Sequence, residues 1–195
     1  MDLKKQLLQQ PGKKVFHTLI VRPGDYQMDI AFMKYSESSK YLILNEGYSC
    51  LLLAVKIATQ YACASSMKSK KVKEILDAFN RIAQGVSNEG RLILRLTTDD
   101  EKEFNNRIWD QKMVELNVKQ YVKELGDHYS LGMIDRLTRT LKTWIEDWQI
   151  EYEDLNWIKA LPEIIRKYNA HQIRMIGFSP DELKHSELAT QTVMQ

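Results

Sequence analysis

The hydrophobic pattern along the chain constrains its fold most strongly, because the pattern changes from strand-like alternation to helix-like spacing. In residues 26–33, apolar side chains alternate with polar or small ones, which is typical of a half-buried β-strand. Apolar runs at residues 48–55 and 59–64 predict two more strands joined by a tight connection, and the preceding loop is expected to include a short strand at residues 41–44. The first third of the chain therefore predicts a three-stranded antiparallel meander.

Further along, segments with helical spacing alternate with short apolar runs. Residues 70–84 place apolar side chains three and four positions apart, as an amphipathic helix does, and Gly85 and Gly90 are expected to end that helix. The remaining segments predict, in order, a strand, a helix, a strand and two helices: residues 91–96, 104–116, 118–122, 132–149 and 157–171. This order predicts an α/β domain with a mixed five-stranded sheet flanked by helices.

Length and composition favour one ordinary folded domain. The chain has 195 residues, of which 44% are hydrophobic and 28% charged, so it is long enough to bury a substantial core. We expect the core at residues 25–150 and its C-terminal helices at 151–185. Residues 1–24 are interpreted as an N-terminal arm, and residues 186–195 as a flexible tail.

Several classes of protein and site gain no support from the sequence. The longest apolar run, residues 51–55, is much shorter than the ~20 residues that cross a bilayer, so no membrane association is expected. The N-terminus lacks a secretory signal, and we expect an intracellular location: the nucleus, a viral factory or a virion. Cys50, Cys63 and the scattered histidines lack the spacing of zinc ligands, so any metal ion is expected to bind oxygen atoms.

Three aspartates occupy positions that are unusual for acidic residues. Asp29 lies in the middle of the first predicted strand, Asp99 follows the fourth, and Asp135 lies in the first turn of a late helix. A carboxylate buried in a strand calls for a partner or a metal ion, because removing its charge from water is costly. For Asp29 taken alone, a position on the solvent face of the strand is an equally good interpretation, since strands alternate.

Three segments around these aspartates carry motifs in a fixed order. They are PGDYQMDIAFM with Asp29, LRLTTDDEKEF with Asp99, and HYSLGMIDRLTRTLKTWI with Asp135. The three resemble the opening segment, the TDxGxEF motif and the helix with the third acid in catalytic cores of retroviral-like integrases, particularly those of retrotransposons and Maverick/Polinton elements. The thirty-five residues from 100 to 134 match the spacing typical of that family. Segments beginning at Tyr48 and Leu161 resemble two further family motifs in the same order.

The resemblance implies a ribonuclease-H-like fold and a metal-dependent polynucleotidyl transferase. It implies that Asp29 bridges two Mg²⁺ or Mn²⁺ ions, while Asp99 and Asp135 each hold one. Such ion pairs activate the attacking oxygen and stabilise the leaving oxygen when a phosphodiester bond is displaced, and hard cations prefer oxygen ligands. The reactions expected by resemblance are trimming of a DNA end and strand transfer, with DNA and further copies of the chain as partners.

The helix that carries Asp135 also carries basic residues. Arg139 and Lys142 follow Asp135 by four and seven positions, so they project from one side of the helix, and with Arg136 they are predicted to contact DNA phosphate. A solvated face with an Asp135–Arg139 ion pair, worth ~0.2–0.5 kcal/mol, is an equally good interpretation. The tryptophans of the late helices, at 144, 148 and 157, are predicted to pack on the sheet or form an interface rather than stack on bases.

Several positions depart from the family pattern. Asp135 stands where the family usually has Glu, and Glu101 replaces the Gly of TDxGxEF, while Lys56, Thr138 and Ile173 replace other typical residues. A shorter third acid changes the reach to a metal ion, and Mg²⁺ sites tolerate little distortion. Two hypotheses therefore stay open: an active polynucleotidyl transferase core, or an inactive integrase-derived domain that binds viral or structural proteins.

Overall fold

The structure, a computed structural model, describes residues 22–34, 38–123, 131–173 and 177–184. Most of the predicted arm, residues 1–21, and the predicted tail, residues 186–195, lie outside the described residues. The strands are β1 (Asp25–Phe32), β2 (Cys50–Lys56), β3 (Ala62–Met67), β4 (Arg95–Thr98) and β5 (Lys119–Val122). The helices are α1 (Ser39–Leu44), α2 (Val72–Asn88), α3 (Arg107–Glu115), α4 (Gly132–Glu151), α5 (Trp157–Ala170) and α6 (Pro180–Leu183).

The five strands form one mixed sheet in the order β3-β2-β1-β4-β5. β1 pairs antiparallel with β2, and β2 pairs antiparallel with β3, so the predicted meander is confirmed. β4 and β5 extend the sheet on the other side of β1 as parallel strands. β1 therefore lies at the centre of the sheet, where its residues are least accessible to water.

Alternation along the central strands divides the apolar core into two layers. Tyr26, Met28 and Ile30 of β1 pack with α2 and α3 on one face of the sheet. Ala31 lies on the opposite face, in a second cluster with α4 and α5. Because side chains in a strand alternate, Gln27 and Asp29 also point towards the face of α4 and α5. This face carries the candidate site.

Residues 39–44 form a helix, so the prediction of a short strand at residues 41–44 was wrong. Within the meander, β2 is paired on both sides by β1 and β3, so the sheet offers no open position beside β2 for another strand. α1 buries Tyr41 and leaves Ile43 79% exposed. Helix α2 also runs past Gly85 to Asn88, since Val86 continues its buried stripe.

The start of β4 depends on a glycine. The Gly24 carbonyl accepts hydrogen bonds from the backbone N–H groups of Leu94 and Arg95, at 2.9 and 3.0 Å. Gly24 has φ +79°, and an added Cβ would lie 2.8 Å from Leu94 Cγ. Only glycine combines this backbone angle with such close packing. The strand begins at Arg95, four residues later than the sequence predicts.

The tryptophans of the late helices lie where the sequence predicts. Trp157 is completely buried in the layer formed by α4 and α5, and Trp144 and Trp148 pack partly against the same layer. Among the described residues, no helix has both the length and the apolar character needed to cross a membrane.

Candidate active site

The sheet brings the backbones of Asp29 and Asp99 to the same level. In the parallel pairing of β1 and β4, Gln27 lies opposite Thr97. Asp29 and Asp99 each follow two residues later, and neighbouring strands are separated by about 4.8 Å. Pairing of β1 with β4 therefore places two carboxylates beside each other at the end of β4.

A buried glutamine fixes the third aspartate relative to these two. The side-chain oxygen of Gln27 accepts hydrogen bonds from the backbone N–H groups of Met133 and Ile134, at 3.1 and 3.0 Å. These N–H groups belong to the first turn of α4, where a helix leaves its donors without internal partners. Asp135 is the next residue, and its side chain is exposed. The start of α4 is thus attached to β1 two residues before Asp29.

The charges of the cluster make ionisation of Asp29 unfavourable. Burial raises the pKa of Asp29 to about 6, and the negative charges of Asp99, Glu101 and Asp135 raise it as well. The backbone N–H of Ile30, which donates to Asp29 Oδ1 at 2.7 Å, opposes the rise. The carboxylates from β1, the end of β4 and α4 are therefore close enough to repel one another.

The pKa of Asp99 is also raised above its ordinary value. Burial is the largest cause, followed by the charge of Glu101, while the Glu101 backbone N–H, which donates to Asp99 Oδ1 at 3.3 Å, opposes the rise. Nearby Lys70 lowers the pKa of Asp99. Two of the three predicted ligands thus lie in surroundings that disfavour their own negative charge.

Lys70 connects this region to the turn between β3 and α2. Its ammonium group pairs with Glu101 at 2.9 Å and with Glu103 at 3.0 Å, and it lies 5.1 Å above the ring of Phe32. These carboxylates raise the pKa of Lys70, so it stays charged. Glu101 does not have a positive φ, so this backbone position does not require the glycine of the family motif. The extra acid is held by Lys70 beside the three aspartates.

The donor atoms suit a divalent metal ion, but their arrangement does not form a complete binding site. Carboxylate oxygens are the ligands that Mg²⁺ and Mn²⁺ prefer, and mutual repulsion would be relieved by a cation. Across the described ranges, however, no group of three or more Asp, Glu, His or Cys side chains is placed to hold a metal ion. The structure brings the predicted ligands into one region without forming a ready-made chelate.

The predicted DNA-contacting residues divide between two sides of α4. Arg139 donates from Nε to the backbone oxygen of Asp135 at 3.4 Å, so it does not form the ion pair considered for these residues. Arg139 is exposed and Lys142 half-buried on the side of Asp135. Arg136 is turned by about 100° from Asp135. Arg136 lies near Tyr168 of α5, whose pKa burial raises and Arg136 lowers.

Two functional contributors were not predicted from the sequence. Gln27 was noted only as part of the opening motif, although its position two residues before Asp29 in an alternating strand places both on one face. Lys70 is one of several lysines in residues 68–73, a composition that on its own indicates no particular partner. Its pairing with Glu101 and Glu103 spans more than thirty positions of sequence, and no local pattern indicates it.

This combination of a mixed five-stranded sheet, flanking helices and acids from β1, the end of β4 and α4 is the ribonuclease-H-like fold seen in the catalytic cores of retroviral integrases. The core domain of human T-lymphotropic virus 2 integrase, solved with magnesium, matches with a TM-score of 0.66 and 19% identity over 85% of this chain and 98% of its own. Bovine immunodeficiency virus integrase matches with a TM-score of 0.66 and 16% identity, over 87% of this chain and 99% of its own.

A third structure, the simian T-cell lymphotropic virus intasome with a regulatory subunit of protein phosphatase 2A, gives a TM-score of 0.71 and 17% identity. That match covers 86% of this chain and 56% of the matched chain. At these identities the likeness establishes the fold. A transposon-derived protein of Caenorhabditis elegans is 24% identical over 154 residues, which is 78% of this chain. The chain spans about half the length of that relative, at 51%. No family model matches the sequence.

Proposed function

We propose that this chain is the catalytic core of a metal-dependent polynucleotidyl transferase that trims and joins DNA ends. The observation that supports it is that the partly buried Asp29 lies within the field of Asp99, Glu101 and Asp135: burial first, and then these three negative charges, raise its pKa to about 6. Such repulsion is unfavourable in a purely structural cluster, whereas an oxygen-rich site for cations requires it. The integrase core of human T-lymphotropic virus 2, which has the same fold, was solved with magnesium.

In the proposed mechanism, Asp29, Asp99 and Asp135 hold the metal ions. Bound ions would supply Lewis-acid chemistry for displacement at a phosphodiester. Gln27 positions the start of α4 and with it Asp135. Arg139 and Lys142 contact DNA phosphates from the side of Asp135, while Lys70 neutralises Glu101, which otherwise repels DNA. Arg136, which is exposed on the same helix, contacts DNA phosphate farther from Asp135.

Strand cleavage and joining test the proposal directly. The full chain is incubated with a labelled blunt-ended DNA duplex and Mn²⁺, in parallel with Asp29→Asn and with Asp77→Asn as a matched control. Asp77 is exposed on α2, so its substitution removes the same charge outside the cluster. We expect products from the wild type and from Asp77→Asn but not from Asp29→Asn. Equal product formation by all three would reject the enzymatic proposal.

An inactive integrase-derived domain is the second candidate, and one specific observation favours it: the described side chains do not form a ready-made metal site. Asp135 is both exposed and one methylene shorter than the acid of the family pattern. Thermal unfolding with and without Mn²⁺ separates the candidates, because a ligand that binds the folded state raises Tm. An Mn²⁺-dependent rise that Asp29→Asn abolishes supports the metal site, whereas no rise and no cleavage support the inactive domain.

We further propose that the chain forms homo-oligomers and acts where DNA is found, in the nucleus or a viral factory. The integrase core of human T-lymphotropic virus 2 was solved in dimeric and trimeric forms, and the simian virus intasome was solved with a protein partner. Light scattering of the purified chain over a range of concentrations tests the oligomeric state. A mass that stays at the 22.9 kDa of one chain would contradict it.

A further inference from the structure

A small cavity between α4 and α5, on the side away from the aspartates, combines aromatic rings with carboxylates. Its volume is about 130 Å³. The aromatic lining residues are Trp144, Trp148 and Tyr152, all contributed by the second half of α4 and its C-terminal cap. The acidic lining residues are Asp147, Glu151 and Glu163. This cavity is called the aromatic–acidic pocket below.

The rings of the pocket are already arranged to receive positive charge. Lys167 of α5 places its ammonium group 5.1 Å from the centre of the Trp144 ring. Cations are attracted to the negative face of an aromatic ring at such distances, and tryptophan is the strongest aromatic partner. Trp148 stacks on Tyr152, with ring centres 4.9 Å apart and an interplanar angle of 30°. Tyr152 is 55% exposed, so the outer face of this stack is open to a partner.

The charge of the pocket is not balanced by the residues that the structure describes. Three carboxylates line it against the single ammonium group of Lys167, and none of the three forms an ion pair among the described residues. Glu146, which is on α4 but does not line the pocket, pairs with Lys34 at 3.4 Å. The excess negative charge beside the exposed ring of Tyr152 is complementary to a basic group with an apolar stem, such as the side chain of Lys or Arg.

We propose that the aromatic–acidic pocket binds a basic peptide segment of a partner protein, inserting an Arg or Lys side chain between α4 and α5. The guanidinium or ammonium group stacks on the Trp148–Tyr152 pair and donates to Asp147 and Glu163. The methylene stem lies along the rings. This surface is separate from the candidate active site, so the inference does not depend on catalysis.

Fluorescence anisotropy tests this proposal with defined probes. The probes are fluorescein-labelled octapeptides of alternating glycine and arginine, of glycine and lysine, and of glycine and glutamate. We expect the full chain to bind both basic peptides and not the acidic one. Replacing Asp147→Asn together with Glu163→Gln keeps the shape of the pocket and removes two charges. We expect Kd to rise about tenfold, the combined effect of two exposed ion pairs that each contribute modestly.

A matched control removes the same charge elsewhere. Glu146→Gln with Glu115→Gln changes a half-buried acid on α4 and an exposed acid on α3, neither of which lines the pocket, and we expect Kd to stay within about twofold. Tyr152→Leu removes the outer ring and is expected to weaken arginine binding more than lysine binding. Circular dichroism measures whether each variant is folded. If Tyr152→Leu does not fold, the comparison of the two charge variants still tests the proposal.

Three outcomes would overturn the proposal. The first is no binding of either basic peptide. The second is equal weakening by the pocket variant and the control, which would indicate attraction to overall charge. The third is self-association of the chain that the pocket variant abolishes, measured by light scattering without peptide, because the occupant would then be a second copy of this chain.

Discussion

Replacing Asp29 by Asn is expected to stabilise the metal-free protein at neutral pH. The pKa of Asp29 is raised to about 6 in the folded protein, from an ordinary value of 3.8. The folded state therefore favours the protonated acid. Above pH 6, Asp29 is ionised in both the folded and the unfolded state, and its charge destabilises the folded state. Below pH 3.8 both states are protonated and the penalty disappears, so the penalty develops between these values.

The size of the effect follows from the shift in pKa. One pKa unit corresponds to about 1.4 kcal/mol, so a shift of roughly two units predicts a penalty of about 3 kcal/mol above pH 7. Asn has no charge to repel and retains an oxygen that accepts from the Ile30 N–H. Asp29→Asn should therefore raise the free energy of unfolding by up to about 3 kcal/mol at pH 8 and by only about 0.5 kcal/mol at pH 4.

Urea unfolding in the presence of EDTA measures this difference. The wild type, Asp29→Asn and the control Asp77→Asn are compared at pH 4, 6 and 8, with equal m-values required for the comparison. We expect Asp77→Asn to follow the wild type at each pH. A stabilisation by Asp29→Asn that is the same at pH 4 and pH 8, or a destabilisation at pH 8, would refute the conclusion that burial and neighbouring charges raise the pKa of Asp29.

Three further predictions concern the supports of the site. Gln27→Ala leaves two N–H groups at the start of α4 without their acceptor and should lower the free energy of unfolding by about 2–4 kcal/mol, measured by urea unfolding. Gly24→Ala should lower the free energy of unfolding by more than about 1 kcal/mol, because φ is +79° and the added Cβ meets Leu94. As a contrast, Gly85→Ala adds a Cβ in open space within α2 and should raise the free energy of unfolding by up to about 1 kcal/mol. Lys70→Met should destabilise by about 1 kcal/mol at low salt and by less in 1 M NaCl, because its ion pairs are partly exposed; equal destabilisation at both salt concentrations would contradict this account.

The sequence was sufficient for most of the fold because its central strands have strong patterns. The alternation at residues 26–33 predicted β1, and the two apolar runs after it predicted strands that overlap β2 and β3. The strand predicted at residues 41–44 was wrong, since this run of apolar residues is too short for periodicity to separate a strand from a helix.

The candidate site was predicted in part. The order of the motifs indicated Asp29, Asp99 and Asp135, and the structure places all three in one electrostatic neighbourhood. The interactions that position these aspartates and balance their charge join distant parts of the sequence. Gln27 accepts hydrogen bonds from a helix more than a hundred residues later, and Lys70 pairs with Glu101. Contacts between distant segments leave no local periodicity, so a single sequence does not reveal them.

Because the start of α4 is hydrogen-bonded to Gln27 of β1, the position of Asp135 does not depend on the segment that precedes α4. Because a strand side chain holds the first turn of the helix, the connection between β5 and α4 can change in length and composition without displacing the acid. For the same reason, Asp135→Glu is a simple change for protein engineering. It lengthens the acidic side chain, while the hydrogen bonds to Gln27 still hold the helix that carries it.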